Sequence, residues 1–464
     1  MTRVAVLGGG LAGLAAALRA ADAGHAVTLV ERRARLGGLA GSFRRGDAHV
    51  DTGQHVFLRC CGAYRGLLDR LGVTGSTTLQ DRLDVAVLRP GAPPARLRRD
   101  RTPAVVTRLP GVRRVPAPHL ARALLRYDAV PWRQRLALPR AAAALRRLDP
   151  ADPAVDAEAF GDWLRRHGQG AAAIRALWDL IGTPTLNAAA DDASLALAAT
   201  VFRIGLLGDP GAADIGWATV PLGDLHDTAA RRALDEGGVR VACSSRVRDV
   251  ARTGEGWRVA VTGRDGARSA LDVDAVVCAL PPEAAAAVLP EPVRTRLTGT
   301  ATALGASPIV DVHLVWDRPV LPVPFAAGLD TEVQWVFDRS GSHGALPPGA
   351  QYLVVSLSAA DAYLPLGAEA LVARFAAELG RLLPAVAGAR LLDGFVTREP
   401  RATFRPAPGT ATHRPVADTT LPALALAGAW TDTGWPATME GAVRSGETAA
   451  SVVAGADDRA RVAA

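Results

Sequence analysis

Lysine is absent from this 464-residue sequence, in which all 53 basic residues are arginine. The many alanine, glycine and arginine residues indicate a bias toward GC-rich codons, so an arginine alone is weak evidence of function. Cysteine is scarce, and the spacing of the four residues does not match a metal site: Cys60, Cys61, Cys243 and Cys278. Because two of them are adjacent, a simple structural disulfide between these two is disfavoured, and we expect a protein of the reducing cytoplasm.

Long apolar runs are absent as well. No stretch of about 18 uninterrupted apolar residues occurs, so the sequence predicts no membrane-spanning helix. A strand-like run follows Arg3 at once, which predicts that no signal peptide is present. The hydrophobic content of 49% and the charged content of 21% are typical of a globular protein with sizeable cores, and the length suffices for two domains.

Charge is distributed unevenly along the chain. Residues 95–148 contain 14 arginines against two acids, Asp100 and Asp128, which gives this segment a formal charge of about +12. Leucines interleave with these arginines. Two interpretations stay open: a surface that meets anionic lipid headgroups, or the solvated face of ordinary helices. No nucleic-acid-binding motif accompanies the charge, so nucleic acid is not expected as a partner.

The N-terminal segment has the order strand, glycine turn, helix, strand, acid. An apolar run covers residues 4–7, the turn GGGLAG covers residues 8–13, and a second strand over residues 26–30 ends at Glu31. This is the dinucleotide fingerprint in the structural context that it requires. The pattern therefore predicts a bound dinucleotide, with the acid bonding the ribose hydroxyls.

Each position of the turn has a mechanical reason. Gly8 permits the tight turn, Gly10 lets the backbone approach a pyrophosphate, and Gly13 lets the helix pack close to the strand. Leu11 and Ala12 then begin the helix, whose free N–H groups and positive dipole end attract the phosphates.

The next segment indicates which dinucleotide is bound. Residues 31–43, ERRARLGGLAGSF, continue without a new βαβ unit and resemble the glycine-pair extension of the flavin-containing amine oxidase and phytoene desaturase superfamily. The resemblance implies FAD rather than NAD. It implies that this stretch passes under the cofactor and that residues 51–55, DTGQH, border the isoalloxazine. The implied contacts are Glu31, Arg32, Arg33, Gly37, Gly38, Leu39, Gln54 and His55.

The same resemblance assigns the C-terminal stretch LALAGAWTDTGWPATMEGAVRSG. It implies that a strand over residues 424–427 ends at Gly428 near the ribityl chain. A helix opening at Thr438 and Met439 would point its N-terminus at the flavin pyrimidine, where its dipole stabilises negative charge. The backbone of Val247 would contact the adenine. The two ends of the chain are thus expected to close on one cofactor.

The implied fold class is α/β, with a Rossmann-like FAD-binding domain interleaved with a mixed α+β substrate domain, as in two-domain amine oxidase-like flavoproteins. The predicted FAD-binding domain comprises residues 1–85, 215–285 and 390–464. The predicted substrate domain comprises residues 86–214 and 286–389.

Several stretches narrow the choice within the superfamily. The segments DTGQHVFLRCCGAY, LWDLIGTPTLNAAADDAS, PLGDLHD, SPIVDVHLVWDRPV and GAWTDTGWPATMEGAVRSG resemble the hydroxysqualene dehydroxylases, also called squalene-associated FAD-dependent desaturases. The resemblance implies reductive removal of the hydroxyl from hydroxysqualene, giving squalene for hopanoid biosynthesis. It also implies a lipophilic isoprenoid substrate and association with enzymes of that pathway, in the cytoplasm or at the inner face of the cell membrane.

This chemistry needs a proton donor, an apolar tunnel and a flavin edge from which water is excluded. His55 is one candidate donor, with a hydrogen bond to the flavin or the backbone as its alternative role. Asp432 in the C-terminal loop is the second candidate, with loop or ribityl bonding as the alternative. Other residues have weaker claims, since helix capping, loop ordering or core packing explains them equally well: Asp51, Asp224, His226, Asp227, Trp217, Trp430 and Trp435.

Other functions remain open at this point. A carotenoid-type desaturase or isomerase shares the fold and the apolar substrate. An amine oxidase is a further alternative, although many such oxidases use a lysine near the flavin and this chain has none. A non-catalytic flavoprotein scaffold at the membrane is the alternative outside enzymes.

Overall fold

The computed structural model of the chain describes residues 1–100, 118–254 and 256–463. Residues 101–117 of the arginine-rich segment lie outside this set. None of the helices within the described residues combines the length and the apolar character needed to cross a membrane.

The strands are numbered in chain order. They are β1 (Arg3–Leu7), β2 (Ala26–Val30), β3 (Ser42–Arg45), β4 (Ala48–Asp51), β5 (Val56–Leu58), β6 (Thr77–Leu79), β7 (Asp84–Arg89), β8 (Ala92–Arg98), β9 (Ile215–Ala218), β10 (Arg240–Ala242), β11 (Arg246–Thr253), β12 (Gly256–Thr262), β13 (Arg268–Val273), β14 (Ala275–Cys278), β15 (Ser307–Trp316), β16 (Phe325–Gly328), β17 (Trp335–Asp338), β18 (Gln351–Ser358), β19 (Leu391–Thr403) and β20 (Leu424–Leu426).

The helices are numbered in the same way. They are α1 (Leu11–Asp22), α2 (Gly62–Arg70), α3 (Ala121–Arg126), α4 (Trp132–Leu145), α5 (Pro153–Asp156), α6 (Phe160–Arg166), α7 (Ala171–Ala173), α8 (Leu180–Leu186), α9 (Leu195–Gly205), α10 (Ala229–Glu236), α11 (Pro282–Val288), α12 (Val293–Leu304), α13 (Ser340–His343), α14 (Ala368–Leu382) and α15 (Met439–Ala463). Two π-helical turns, Ile174–Asp179 and Asp224–Thr228, precede α8 and α10.

A five-stranded parallel sheet carries the glycine turn. Its strand order is β10-β2-β1-β14-β20, so strands from the two ends of the chain lie in one sheet. The central strands are continuous apolar runs because both faces of the sheet are covered. Val4 and Val6 pack with the helices α1, α10 and α15, whereas Ala5 and Leu7 pack on the side of the antiparallel meander β11-β12-β13.

A seven-stranded mixed sheet forms the second layer, in the order β19-β15-β18-β17-β16-β7-β8. One face of β15 packs against α14 through Val310, Val312 and Leu314. Because side chains alternate along a strand, the residues between these three point to the opposite face. That face carries Asp311 and His313, both of which are buried.

The fold class predicted from the sequence is confirmed: a parallel nucleotide-type sheet is interleaved with a mixed sheet and helices. The strands of the parallel sheet all fall within the three segments assigned to the FAD-binding domain. Division into two domains at the stated boundaries stays a prediction.

Candidate active site

The glycine turn between β1 and α1 is shaped by two backbone contacts. Gly8 N donates a hydrogen bond to Val30 O at 2.8 Å, which ties the turn to the end of β2. A Cβ atom on Gly13 would lie 1.8 Å from Gly8 O, so any side chain there would collide with the backbone. The first turn of α1 therefore lies directly against the end of β1, as a dinucleotide turn requires.

The N-terminus of α1 is open for a ligand. Gly10 precedes the helix and no side chain caps it, so the N–H groups of Leu11 and Ala12 have no intrahelical acceptor. A Cβ atom on Gly10 would meet nothing closer than Gly38 Cα, at 3.9 Å. Unpaired donors, the positive end of a helix and free space together fit the pyrophosphate of a dinucleotide.

Glu31 follows β2 and has a buried carboxylate. Its Oε2 accepts a hydrogen bond from Gly9 N, and its Oε1 accepts one from Arg33 N, both at 2.7 Å. Each oxygen keeps a second lone pair, which suits the hydroxyls of a ribose. Ser245 N donates to Glu31 O at 2.9 Å, so the start of β11, with Val247, lies beside this acid.

The loop that follows β2 folds back onto the glycine turn. Gly37 N donates to Gly9 O at 2.8 Å, and Arg33 Nη1 donates to Gly38 O at 3.1 Å. Leu39 remains 39% exposed. The two glycine segments therefore lie side by side, which is the arrangement that the glycine-pair extension predicts.

Two residues of the π-helical turn before α10 hold this loop from outside. His226 bonds Ala40 O through Nδ1 at 2.6 Å and the Tyr64 hydroxyl through Nε2 at 2.9 Å. Asp227 Oδ1 accepts a hydrogen bond from Leu36 N at 3.0 Å. Burial lowers the pKa of His226 to about 4, so the ring is neutral near pH 7. The alternative expected for these residues was helix capping with bonds at the surface, whereas His226 is buried and both residues bond the loop instead.

The C-terminal stretch closes on the same region. Gly428 has a φ of +144°, and its N–H donates to Ser445 Oγ at 2.8 Å. Thr438 Oγ1 accepts a hydrogen bond from Gly441 N at 3.2 Å, so Thr438 caps α15 just before its first residue, Met439. The predicted strand, glycine and helix start are all present.

Helix α15 lies directly against α1. A Cβ atom on Gly446 would lie 2.1 Å from Ala12 O, a separation that only a residue without a side chain allows. The two ends of the chain therefore meet at the N-terminus of α1, where the pyrophosphate is expected.

Asp432, the second predicted proton donor, lies at the surface. Its side chain is exposed, its Oδ1 accepts a hydrogen bond from Gly434 N at 3.3 Å, and its own N–H donates to Pro415 O at 2.8 Å. These contacts order the loop, which is the alternative role for this residue. The catalytic role of Asp432 stays a prediction.

An aromatic cleft lies between the segment after β4 and the face of the seven-stranded sheet that is opposite α14. It is lined by Gln54, His55, Val56, Trp217, Pro324, Phe325, Phe337, Asp338 and Arg339. The ring centroids of Trp217 and Phe325 are 5.4 Å apart, and those of Phe325 and Phe337 are 6.1 Å apart. Trp335 continues the row at 6.2 Å from Phe337. The rings form the apolar part of the lining, beside the polar side chains of Gln54, His55, Asp338 and Arg339.

A buried ion pair supports one wall of the aromatic cleft. Arg339 Nη2 lies 2.8 Å from Asp51 Oδ2, and both side chains are at most 10% exposed. Asp51 Oδ1 also accepts hydrogen bonds from Ser42 Oγ at 2.6 Å and Leu222 N at 3.0 Å. Asp51 thus orders its loop, which was the alternative to a chemical role for this residue.

His55 is a neutral residue at the rim of the aromatic cleft. Its Nδ1 lies 3.0 Å from Gly53 O, and because a carbonyl can only accept, Nδ1 carries the proton. Burial lowers the pKa of His55, and the Arg339 charge acts in the same direction, whereas the Gly53 carbonyl and Asp51 oppose the shift. In the neutral ring Nε2 is an acceptor, which suits a substrate hydroxyl.

Asp311, in the middle of β15, was not singled out from the sequence. Its side chain is 2% exposed, and Oδ1 has no hydrogen-bond partner. A Cβ atom on Gly53 would lie 3.8 Å from Asp311 Oδ2 and 3.2 Å from His55 Cε1, so the two side chains approach the same point. The signal available in the sequence was an acid within the apolar run from Ile309 to Val315.

Fold and site together define a class of protein: an α/β protein with a dinucleotide turn on its parallel sheet and an aromatic cleft beside its mixed sheet. Residues 11–454 match the family model described as flavin containing amine oxidoreductase. The chain belongs to this family, and FAD is its cofactor.

Curated relatives include two kinds of isoprenoid enzyme. The chain is 26% identical to a zeta-carotene desaturase of Arabidopsis thaliana, over 98% of this chain and 86% of the relative. It is 32% identical to the hydroxysqualene dehydroxylase of Sinorhizobium fredii over 58% of this chain and 59% of the relative. It is 36% identical to that of Rhodopseudomonas palustris over 39% and 38% of the two chains.

Solved structures share the fold along almost the whole chain. Putrescine oxidase bound to putrescine superposes with a TM-score of 0.69 at 20% identity, covering 98% of this chain and 99% of the other. Cyclohexylamine oxidase from Brevibacterium oxydans superposes with a TM-score of 0.68 at 18% identity, covering 99% and 100%.

Proposed function

We propose that this flavoprotein reductively removes the hydroxyl of hydroxysqualene and gives squalene for hopanoid biosynthesis. The observation that carries the proposal is the aromatic cleft, which combines aromatic rings with the neutral His55. The buried Asp311 does not line the cleft; it lies next to Gly53, two residues before His55. The hydroxysqualene dehydroxylases of the two bacteria above support it through their higher identity over part of the chain.

Cofactor contacts are proposed for the three segments that meet around the N-terminus of α1. The first is the glycine turn with its acid, the second is the loop that folds back onto it, and the third is the C-terminal strand and helix start. The proposed contacts in these segments are Gly8, Gly10, Leu11, Ala12, Gly13, Glu31, Arg32, Arg33, Gly37, Gly38, Leu39, Gly428, Thr438 and Met439. Further contacts are proposed outside them, for Gln54, His55 and Val247.

The side chains of the aromatic cleft have two proposed roles. The rings of Trp217, Phe325 and Phe337 exclude water, which would otherwise capture a carbocation, and their faces stabilise its positive charge. The neutral His55 accepts a hydrogen bond from the substrate hydroxyl and orients it. When bound in its reduced form, FAD supplies the hydride that replaces the lost hydroxyl.

A carotenoid-type desaturase or isomerase is the second candidate. The zeta-carotene desaturases favour it, because their similarity extends over almost the whole chain. An amine oxidase is a weaker candidate, since the chain has no lysine to act near the flavin.

One anaerobic experiment separates these candidates. The protein is loaded with FAD, reduced chemically and mixed with hydroxysqualene in detergent, and the products are analysed by mass spectrometry. We expect squalene to form in step with flavin reoxidation. Unchanged hydroxysqualene would exclude the proposal, and zeta-carotene with the oxidised protein would then test the desaturase. A flavin inert to both substrates would indicate the scaffold.

Peripheral contact with an anionic membrane is proposed for α3 and α4, within the arginine-rich segment. Leu125 and Leu136 are 68% exposed and Trp132 is 61% exposed. Arg135 Nη1 donates to Leu125 O, which brings the two helices together. Trp132 and Leu136 are four residues apart and share one face of α4. We refer to Leu125, Trp132 and Leu136 as the apolar patch.

Charge around the apolar patch favours lipid headgroups as the partner. Arg133 Cζ lies 5.3 Å from the centroid of the Trp132 ring, and the same two helices carry further exposed arginines: Arg122, Arg126 and Arg140. The one acid of α3, α4 and their connection, Asp128, is paired with Arg89 at 3.0 Å. Exposed apolar side chains on helices rich in arginine suit the interface of an anionic bilayer, at the inner face of the cell membrane.

Co-sedimentation with phosphatidylglycerol vesicles tests this contact. The double variant Trp132→Ala/Leu136→Ala should lose about tenfold or more in vesicle affinity, because each deleted side chain is worth about 1–2 kcal/mol of apolar burial. The matched control is Leu392→Ala/Val416→Ala, which removes exposed apolar side chains elsewhere (39% and 53% exposed). Equal binding of the two variants would exclude the patch as a membrane contact.

A further inference from the structure

We propose that Asp311 is the proton donor that ionises the substrate hydroxyl in the aromatic cleft. The inference rests on the proposed function. For the role of proton donor, the sequence offered His55 and Asp432 as candidates.

The register of the seven-stranded sheet puts Asp311 on the face that carries the aromatic rings. Asp311 pairs with Ser356 on β18, and Ser356 pairs with Trp335 on β17. Directly paired residues of neighbouring strands point to the same face. Phe337 is two residues from Trp335 and shares this face. The carboxyl therefore lies in one row with the rings that would surround an isoprenoid chain.

The carboxyl is free to act. Its Oδ1 is buried and has no hydrogen-bond partner, although such groups are rare in folded proteins. Asp338, the acid that lines the aromatic cleft, is occupied instead: its Oδ1 accepts from Ser340 and its Oδ2 accepts from Gln351 Nε2 at 2.8 Å. Of these two acids, Asp311 is the one with a carboxyl oxygen, Oδ1, that accepts no hydrogen bond within the protein.

The charges around Asp311 favour its protonated form. Burial raises the pKa of Asp311 to about 7, and the Asp51 carboxylate adds to the rise, whereas the Ser356 hydroxyl opposes it. Arg339 gives its nearest hydrogen bonds to Asp51 and to Ala218 O. The other titratable groups nearby are neutral at pH 7, because burial lowers the pKa of His55 and His313 and raises that of Tyr352.

The proposed step balances. The Asp311 carboxyl gives its proton to the substrate hydroxyl, the C–O bond breaks, and water leaves with the bonding electron pair. The allylic cation that remains needs one hydride, for which reduced flavin is the donor. Hydroxysqualene, one proton and one hydride thus give squalene and water, and the Asp311 carboxylate regains a proton from solvent before the next turnover.

His55 is less suited to this step. Because burial lowers its pKa, the ring is uncharged near pH 7, and its one ring proton is held by Gly53 O at 3.0 Å. A neutral imidazole that already donates its proton is an acceptor for a hydroxyl. The two side chains therefore have separate roles, in which His55 orients the hydroxyl and Asp311 protonates it.

The first test compares Asp311→Asn with wild type in the FAD-loaded, reduced protein. Turnover of hydroxysqualene should fall by about a hundredfold or more, the range of a lost general acid. Its FAD content and KM should stay within about twofold. Asp393→Asn is the matched control, since Asp393 lies on the neighbouring β19 in an exposed pair with Arg45; its turnover should equal that of wild type.

A second substrate separates proton donation from a structural role. In the allylic chloride analogue of hydroxysqualene, the leaving group departs as an anion and needs no proton. Asp311→Asn should reduce this analogue at a rate within about threefold of wild type. Equal losses on the two substrates would overturn the inference, as would an unchanged rate with hydroxysqualene.

Infrared difference spectroscopy provides a readout that does not depend on turnover. The C=O stretch of a protonated carboxyl should disappear with a midpoint near pH 7 in the wild-type holoenzyme, and it should be missing from Asp311→Asn. If this band is absent from wild type, the inference is wrong while squalene formation can still support the proposed function. If wild type makes no squalene although the band is present, the proposed function fails instead.

Discussion

The glycine turn and the aromatic cleft recognise their ligands with different parts of the protein. At the glycine turn, free N–H groups of α1 and the missing side chain of Gly10 leave room for phosphates, while Gly13 lets α1 pack against the end of β1. At the aromatic cleft, the rings come from different strands, and a buried ion pair joins Asp51 to Arg339 across 288 residues of sequence. Substitutions that add atoms should therefore disrupt the glycine turn, whereas substitutions that change charge or shape should disrupt the aromatic cleft.

The largest effect is expected from adding atoms at the glycine turn. In Gly13→Val the new Cβ would lie 1.8 Å from Gly8 O, so α1 must move away from β1. We expect protein without bound FAD, measured by flavin absorbance after purification, and a melting temperature below that of wild type. Gly66→Ala is the control, because a Cβ on Gly66 of α2 meets nothing within 4 Å. FAD content of Gly13→Val equal to that of this control would contradict the packing argument.

Removing charge from the aromatic cleft should have the next largest effect. Arg339→Ala leaves Asp51 buried without its partner, which costs about 3–5 kcal/mol in the free energy of unfolding. Urea denaturation measures the loss. Arg258→Ala breaks the exposed pair with Asp272 and should change stability little. Similar denaturation midpoints for the two variants would show that the buried ion pair contributes no more to stability than the exposed pair.

The pH dependence of stability should depend on Asp311. Its pKa is about 7 in the folded protein and near 4 when unfolded, so the folded state holds the proton more tightly and loses stability as pH rises from about 4 to 7. Asp311→Asn lacks this titration. Between pH 4 and pH 8, the free energy of unfolding of wild type should therefore fall, relative to that of Asp311→Asn, by at most about 4 kcal/mol. Parallel curves of the two proteins between pH 4 and pH 8 would show that the carboxyl titrates normally.

The smallest effect is expected from a variant that changes the shape of the aromatic cleft without changing its charge. Phe337→Ala deletes a ring of the aromatic cleft that packs against Phe325 and Trp335. We expect KM for hydroxysqualene to rise about tenfold with little change in kcat, because uniform binding of about 1–2 kcal/mol is lost. FAD content should be unchanged. A fall in kcat with constant KM would place Phe337 in the chemical step.

The sequence predicted the glycine turn well because that turn is local. Gly8, Gly13 and Glu31 lie within one strand–helix–strand unit. The backbone geometry requires the two glycines, the hydrogen bonds of the turn require the acid, and the spacing of the three residues identifies them in the sequence. The C-terminal Gly428 and Thr438 were recognised through family resemblance, and their local geometry agrees with it.

The aromatic cleft could not be predicted to the same depth. The pKa of Asp311 is set by burial, by Ser356 on a neighbouring strand and by Asp51. None of these influences can be read from the sequence of β15 itself. Asp432 was one candidate because it lies in a recognised loop, and the structure shows that it is exposed. Burial and pairing between distant segments arise only when the chain folds, so neither can be predicted from the local sequence.

The contact of Gly446 with Ala12 has a consequence for the order of events during synthesis. A ribosome releases α1 early, but the helix that covers its first turn emerges only after more than 400 further residues. Since proteins generally fold from the N-terminus as they are made, the nascent chain must carry an incomplete cofactor cradle with part of its apolar surface uncovered. Loading with FAD is therefore an event of the finished chain, and truncated products are natural clients of chaperones and proteases.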